Sequence, residues 1–289
     1  MKALWETSWL EPNLDLKTTA PLENIRFSGT ENLAREHLER VRAFYDAAPT
    51  EPQAGARAYR ALLAHYYNLL IPAGSSVLEI GCGSGDLLAR IRAGRKVGID
   101  LAPQQLEAAR LRVPDANFFS QAGELLSLDQ TFDIIIISDT LNLAADVQRL
   151  FERLHTVSHA QTRLIVNFQN TLWRPFLALA RRIGLKAPQP QNSWLASSDV
   201  FNLLRLAGWA PVSRHGRILV PFRALGIGTF INRWFAPFLQ WFCLTVFFVA
   251  RGDQGNGTRP LTVSVVIPAR NEAGNIPAAV TRTPEMGAG

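Results

Sequence analysis

The chain has 289 residues, 47% of them hydrophobic and 19% charged, with a formal net charge of +6, enough apolar material for one large domain or two modest ones. Two distant cysteines, Cys82 and Cys243, exclude a disulfide framework or a zinc site and point to a reduced, cytoplasmic compartment. The basic excess contains no run of Lys and Arg interleaved with aromatics, which argues against nucleic acid and leaves a solvated face or an anionic membrane surface.

Residues 1–9 lack the apolar stretch of a signal peptide. Residues 1–30, with Pro12 and Pro21, read as an irregular arm. Helices are expected over Glu31–Asp46, with Leu33, Val41, Phe44 and Tyr45 as its apolar positions, and over Arg57–Leu70, with Leu62, Leu63, Tyr66, Tyr67 and Leu70. Strands and helices then alternate: strand Ser76–Ile80, helix Asp86–Ile91, strand Lys96–Asp100, helix Pro103–Leu111, a weaker strand Ala116–Ser120, strand Phe132–Ser138, helix Asp146–Ser158 and strand Thr162–Phe168. Phe132–Ser138 (FDIIIIS) is the unbroken apolar run of a strand buried on both faces. Such alternation predicts a doubly wound, Rossmann-like α/β sheet. Further on come helices Trp173–Gly184 and Ser198–Leu206, the second ended by Gly208. Pro211–Val220 and Cys243–Arg251 read as two more strands, making seven, with the last antiparallel.

The turn after the first strand reads Glu79-Ile-Gly81-Cys82-Gly83-Ser-Gly85-Asp86. Glycines there permit a tight turn and close approach of a ligand to the backbone. A dinucleotide loop, G-x-G-x-x-G, would need its third glycine at position 86; Asp86 stands there instead. At a helix N-terminus that carboxylate would repel a pyrophosphate. S-adenosylmethionine, which carries a sulfonium, a zwitterionic methionine tail and no phosphate, suits the loop. Asp100, closing the second strand, is placed to accept both ribose hydroxyls, and Glu79 to accept backbone N–H bonds that hold the loop.

These residues resemble the class I S-adenosylmethionine-dependent methyltransferases: the E-x-G-x-G-x-G loop, the acidic end of the second strand and the Phe132-Asp133 opening of the fourth, over about residues 75–170. The resemblance implies a cofactor site containing Glu79, Gly81, Cys82, Gly83, Gly85, Asp100, Leu101, Gly123, Glu124 and Ser138. One departure is Ala122, where many members carry an acidic residue for the adenine amino group. Adenine recognition then falls to Gln121, Glu124 or backbone.

In this fold the acceptor lies beyond the carboxyl ends of the fourth and fifth strands. There the isoleucine run delivers Ser138, Asp139, Thr140 and Asn142, read as site residues over the competing reading of helix caps. For a hydroxyl acceptor the candidate bases are Asp139 and His215; a lone histidine is more often solvated, and His155 and His159 read as surface residues. Asn170, Trp173, Asn192 and Trp194 are candidates for an acceptor pocket, or for core.

Within an aromatic segment from Phe222 to Phe242, apolar residues recur at helical spacing from Phe230 to Phe242, and Trp234–Ala250 carries no charge. Pro237 and Gln240 divide this window into an amphipathic, interfacial helix reaching Trp241 and a final strand, rather than a spanning helix. Peripheral contact with the inner membrane face through 222–242 is expected on this basis. After a polar linker at 252–260, the sequence Leu261-Thr-Val-Ser-Val-Val-Ile-Pro-Ala-Arg-Asn271-Glu272 resembles the opening strand and nucleotide loop of a family-2 glycosyltransferase. The organisation expected is an arm with two helices (1–74), a methyltransferase domain (75–251, with the aromatic insertion 222–242), the linker, and the start of a fused glycosyltransferase (261–289). The fusion implies a glycan, glycolipid or related small-molecule acceptor. The competing expectation is a non-catalytic module that scaffolds the glycosyltransferase or locates it on the membrane.

Overall fold

The computed structural model describes residues 29–182, 190, 195–221, 227–252, 274 and 276–282. The arm before residue 29, Asn192, Trp194, residues 222–226, most of the linker and the 261–272 motif lie outside them. The chain divides into a unit of residues 1–252 and a second of 253–289.

Helices α1 (Gly29–Asp46) and α2 (Ala54–Leu70) precede the sheet. The sheet comprises β1 (Ser76–Ile80), β2 (Arg95–Asp100), β3 (Asn117–Ser120), β4 (Phe132–Ser138), β5 (Ser158–Gln169), β6 (Trp209–Arg217) and β7 (Thr245–Gly252). Between strands run α3 (Pro103–Arg112), α4 (Val147–Arg153), α5 (Arg174–Arg182), α6 (Ser197–Leu206) and α7 (Ile227–Trp234). In the second unit, α8 spans Ile276–Arg282.

The strand order is β3-β2-β1-β4-β5-β7-β6. The β1–β2, β2–β3, β1–β4 and β4–β5 pairs are parallel, while β7 runs antiparallel to both β5 and β6. This is the seven-stranded doubly wound sheet expected from the sequence. Its order reverses between β1 and β4, which opens a crevice at their carboxyl ends. β4 shows why the isoleucine run is unbroken. Ile135 and Ile137 pack on one face with Leu150 of α4, Leu204 of α6 and Trp209, while Ile134 and Ile136 pack on the other with Leu63 and Tyr67 of α2 and Leu106 of α3. Helices cover both faces, so no polar alternation remains.

Several elements differ from the sequence expectation. No α-helix follows the glycine loop; Leu88–Arg90 forms a single 3-10 turn, and Leu87, Leu88 and Ile91 are all buried. Gly94, whose added Cβ would stand 2.6 Å from the Gly74 carbonyl oxygen, returns the chain directly to β2. α4 is likewise short and passes into a 3-10 turn at Leu154–Val157. Leu33 is exposed, and Leu38 and Val41 supply the buried face of α1. The aromatic helix ends at Trp234 rather than Trp241. Pro237, which lacks an N–H, falls in the turns after it; a 3-10 turn at Gln240–Phe242 comes next, and the final strand begins at Thr245. Among the described residues no helix is long and apolar enough to cross a membrane.

Candidate active site

The glycine loop sits at the carboxyl end of β1. Gly81 N–H and Cys82 N–H both donate to the Ile99 carbonyl, at 2.8 and 3.0 Å, which ties the loop to β2. Gly81, Gly83 and Gly85 all have positive φ, at 71°, 51° and 73°. At Gly81 a Cβ would also collide with the Thr140 side chain, so β1 and β4 approach at this point only because the residue is glycine. Arg112 of α3 donates to the Ser84 carbonyl and pairs with Glu51, bracing the loop from outside. The Cys82 side chain is fully buried, and burial pushes its thiol pKa well up.

The residue that holds the loop's shape is Asp100 rather than Glu79. Asp100 Oδ2 accepts from Gly83 N–H at 2.7 Å, and Oδ1 from Ala102 N–H at 2.9 Å. Burial raises its pKa, and these N–H bonds oppose the rise. Leu101 comes next, half-buried. Glu79 is buried with an Oε2 that finds no partner. Burial pushes its pKa up to about 8, against the opposing influence of Arg60 on α2, and with Asp100 and Asp86 adding to the rise. Asp86 is buried too, 3.3 Å from Arg90. With no α-helix behind the loop, its carboxylate caps no helix terminus.

That donor set fits S-adenosylmethionine. Asp86 is paired with Arg90, which leaves Asp100 and the unpartnered Glu79 carboxyl to meet a ligand with two positive centres and one carboxylate. The buried, unpartnered Glu79 oxygen is the kind of group that a bound cation or N–H satisfies.

At the end of β4, Asp139 has a φ of 53°, an uncommon value for a residue with a side chain. Its Oδ1 accepts from Asn167 Nδ2 at 3.0 Å and from the Tyr59 hydroxyl at 3.4 Å. Tyr59 also bonds Thr245 Oγ1 at 3.0 Å, and Tyr67 donates to Asn167 Oδ1 at 2.6 Å. Burial holds both tyrosine pKa values far above the ordinary phenol range, with the Asp139 charge adding to it, so both donate as neutral phenols. Ser138 is half-buried beside this network. Thr140, at the N-terminal position of the following 3-10 turn, makes no side-chain cap; its hydroxyl bonds the Ser138 carbonyl at 3.0 Å. The helix-cap reading therefore fails for Thr140. Tyr59, Tyr67, Asn167 and Thr245 come from α2, β5 and β7. Two of the four are tyrosines on a helix of apolar periodicity, and no short motif joins the four.

Other candidates lie elsewhere or are engaged. His215 stands on the edge strand β6, paired with Phe247; three strand spacings separate β6 from β4, roughly 14 Å. The structure does not bring His215 and Asp139 together. Burial, then Arg217, lowers the His215 pKa. Glu124 is buried, and its Oε1 accepts from Ala145 N–H at 2.8 Å, anchoring the segment before α4. Gly123 is packed under Ile80 and Leu150, which leave no room for a Cβ. Gln121 bonds Ser127 N–H. Asn170 donates to the Trp241 and Cys243 carbonyls and Trp173 to the Phe242 carbonyl, so both fasten β5 to the segment before β7. His159 pairs with Asp133 at 3.1 Å and His155 stacks on Trp209, both in surface positions.

Comparison with known proteins bears on the fold and the domain. Residues 71–187 match the family model for a methyltransferase domain. The chain is 35% identical over 118 residues to the bifunctional methionine biosynthesis protein MetXA/MetW of Rhodopirellula baltica, a match covering 36% of this chain and 18% of that protein. It is 26% identical over 123 residues to a trans-aconitate 2-methyltransferase of an Enterobacter species, covering 41% of this chain and 49% of that one. The chain thus spans less than half the length of either relative. Among solved structures, an S-adenosylmethionine-dependent methyltransferase of Thermotoga maritima, described as a possible histamine N-methyltransferase, superposes with a TM-score of 0.53 at 16% identity, over 75% of this chain and 98% of that one. Residues 71–187 are thus similar to a methyltransferase domain, and the sheet shares the fold of S-adenosylmethionine-dependent methyltransferases.

Proposed function

We propose that the protein binds S-adenosylmethionine through Glu79, the 81–85 loop and Asp100, and transfers a methyl group to an oxygen of a glycan, glycolipid or related small molecule. The observation that carries the first half is the carboxyl-lined crevice at the β1–β4 reversal, with its glycine loop held by Asp100 and its unpartnered Glu79 oxygen. When bound, the cofactor supplies an electrophilic methyl group on sulfur. The protein's part is then to align the acceptor and take up its proton. Asp139 is the group for that role. It follows directly on β4, and its carboxylate is oriented by Asn167 and Tyr59. What supports an oxygen on a glycan or lipid-linked acceptor is the 261–272 sequence and the glycosyltransferase fusion it implies.

The test is incubation of the purified protein with methyl-labelled S-adenosylmethionine and fractionated glycolipid extracts. Label should enter one fraction, and Asp139→Asn should lower the rate at least a hundredfold while leaving donor affinity within a factor of two or so. A second reading, a module that binds donor without transferring it, is favoured by the separation of His215 from Asp139. Donor binding with no labelled product in any fraction supports it.

A further inference from the structure

The sheet edge beside the crevice carries an apolar face that the sequence pattern revealed only in part. α5 shows Phe176 and Leu179 to solvent, and Leu172 is exposed in the turn before it. The segment from α7 to β7 adds Trp234, Phe238 and Trp241, with Phe238 83% exposed. The two pieces meet at their aromatic rings: Trp173 lies 5.6 Å from Phe176 and 5.5 Å from Phe242, and Phe242 lies 5.5 Å from Trp241, ring centre to ring centre. The hydrogen bonds of Asn170 and Trp173 to the carbonyls of residues 241–243 lock them together. Exposed aromatic area of this extent marks an interaction surface rather than ordinary scatter.

The charge around it indicates the partner. Asp199 is the only Asp or Glu between Arg153 and Gly252, although the chain holds 24 of them. Arg182, ending α5, and Arg233, in the last turn of α7, are both exposed. Aromatic side chains flanked by arginine and almost free of carboxylates match the interfacial region of an anionic bilayer, where rings sit among headgroups and cations meet phosphate. The face also borders the reaction crevice. β7 starts at Thr245, directly after the aromatic turn, and Thr245 shares Tyr59 with Asp139.

We propose that the aromatic face of α5 and residues 230–242 docks onto an anionic lipid bilayer, so that the acceptor reaches the crevice from the membrane surface. The statement about the acceptor rests on the methyl-transfer reading; the docking does not. The test is co-flotation of the full chain, without donor, with vesicles of phosphatidylcholine alone and of phosphatidylcholine mixed with phosphatidylglycerol. The protein should float with the anionic vesicles and release as salt is raised. Phe176→Glu, Trp234→Glu and Phe238→Glu should each weaken binding roughly tenfold or more, and Arg182→Glu with Arg233→Glu together by a similar factor. Far-UV circular dichroism and affinity for S-adenosylhomocysteine, measured without vesicles, should be those of the parent, which separates loss of docking from misfolding and from failure of the cofactor reading. Absence of flotation, equal binding to neutral vesicles, or undiminished binding by the variants overturns the proposal. So does concentration-dependent dimerisation that Phe238→Glu abolishes, which would make the face a contact between two copies of the chain.

Discussion

Replacing Glu79 by glutamine tests the electrostatics of the crevice most sharply. The folded protein holds this carboxyl, through burial above all, at a pKa of about 8 against 4.5 for a free side chain. Between those pH values the unfolded chain is ionised at this position and the native one is protonated. Native stability therefore falls as pH rises from about 4.5 to about 8, and the loss is complete above the folded pKa. At about 1.4 kcal/mol per pKa unit, roughly 3 kcal/mol has been lost by pH 7 and about 5 by pH 8. Glutamine keeps the shape of the protonated acid and does not titrate. The stability difference between Glu79→Gln and the parent, from urea unfolding followed by circular dichroism without cofactor, should move by about 3 kcal/mol in favour of the variant between pH 4 and pH 7. A difference that stays constant with pH would refute the buried, neutral carboxyl. Bound cofactor should reverse the preference, because a positive centre beside Glu79 favours its ionised form. Cofactor binding at pH 7 should then release a proton, visible as a buffer-dependent heat in calorimetry, and Glu79→Gln should abolish the release. The same substitution stabilises the empty protein and weakens its ligand affinity, the exchange expected where a site stores an unfavourable group.

Other substitutions probe the frame around the crevice. Gly81→Ala forces a Cβ against Thr140 at a φ of 71° and should cost about 1–3 kcal/mol in backbone strain alone, read from urea unfolding; an unchanged midpoint would contradict the tight β1–β4 approach. Trp209 is buried, donates to the Phe151 carbonyl at 2.8 Å and stacks on His155, so Trp209→Ala should lose roughly 3–5 kcal/mol with little change in cofactor affinity per folded molecule. Tyr59→Phe removes one of the hydrogen bonds to Asp139 and should slow methyl transfer about tenfold or less, with a smaller effect than Asp139→Asn; equal effects would assign Asp139 a structural role instead.

The parts of this protein legible in its sequence are those fixed by local pattern. The glycine loop, the acidic end of β2 and the isoleucine strand each occupy a few consecutive residues whose spacing has one structural meaning. Together they point to the doubly wound sheet and its cofactor crevice. The helix expected at Asp86–Ile91 failed because burying Leu87, Leu88 and Ile91 in the short path to β2 favours a tight turn, which periodicity alone does not distinguish from a helix. Asp100 took the loop-holding role expected of Glu79 because which carboxylate meets Gly83 N–H depends on how β1 and β2 stand side by side. The network about Asp139 was hidden for a different reason. Tyr59, Asn167 and Thr245 meet only through tertiary packing, and Tyr59 and Tyr67 lie on a helix whose apolar spacing accounts for them as core. Glu124 resembled an adenine contact in its motif, yet its carboxylate is committed to Ala145 N–H. The exposed aromatic face was half legible: the run at 230–242 stood out, whereas α5 is joined to it by tertiary contacts of Asn170 and Trp173 with residues 241–243.

The binding of S-adenosylmethionine in the β1–β4 crevice is tested most directly by isothermal titration of the protein with S-adenosylhomocysteine, alongside Asp100→Ala. The parent should show saturable one-to-one binding. The variant, which loses both the loop's anchor at Gly83 and the acceptor for the ribose, should bind at least tenfold more weakly. No binding by the folded parent at millimolar ligand, or equal affinity for both proteins, would contradict it.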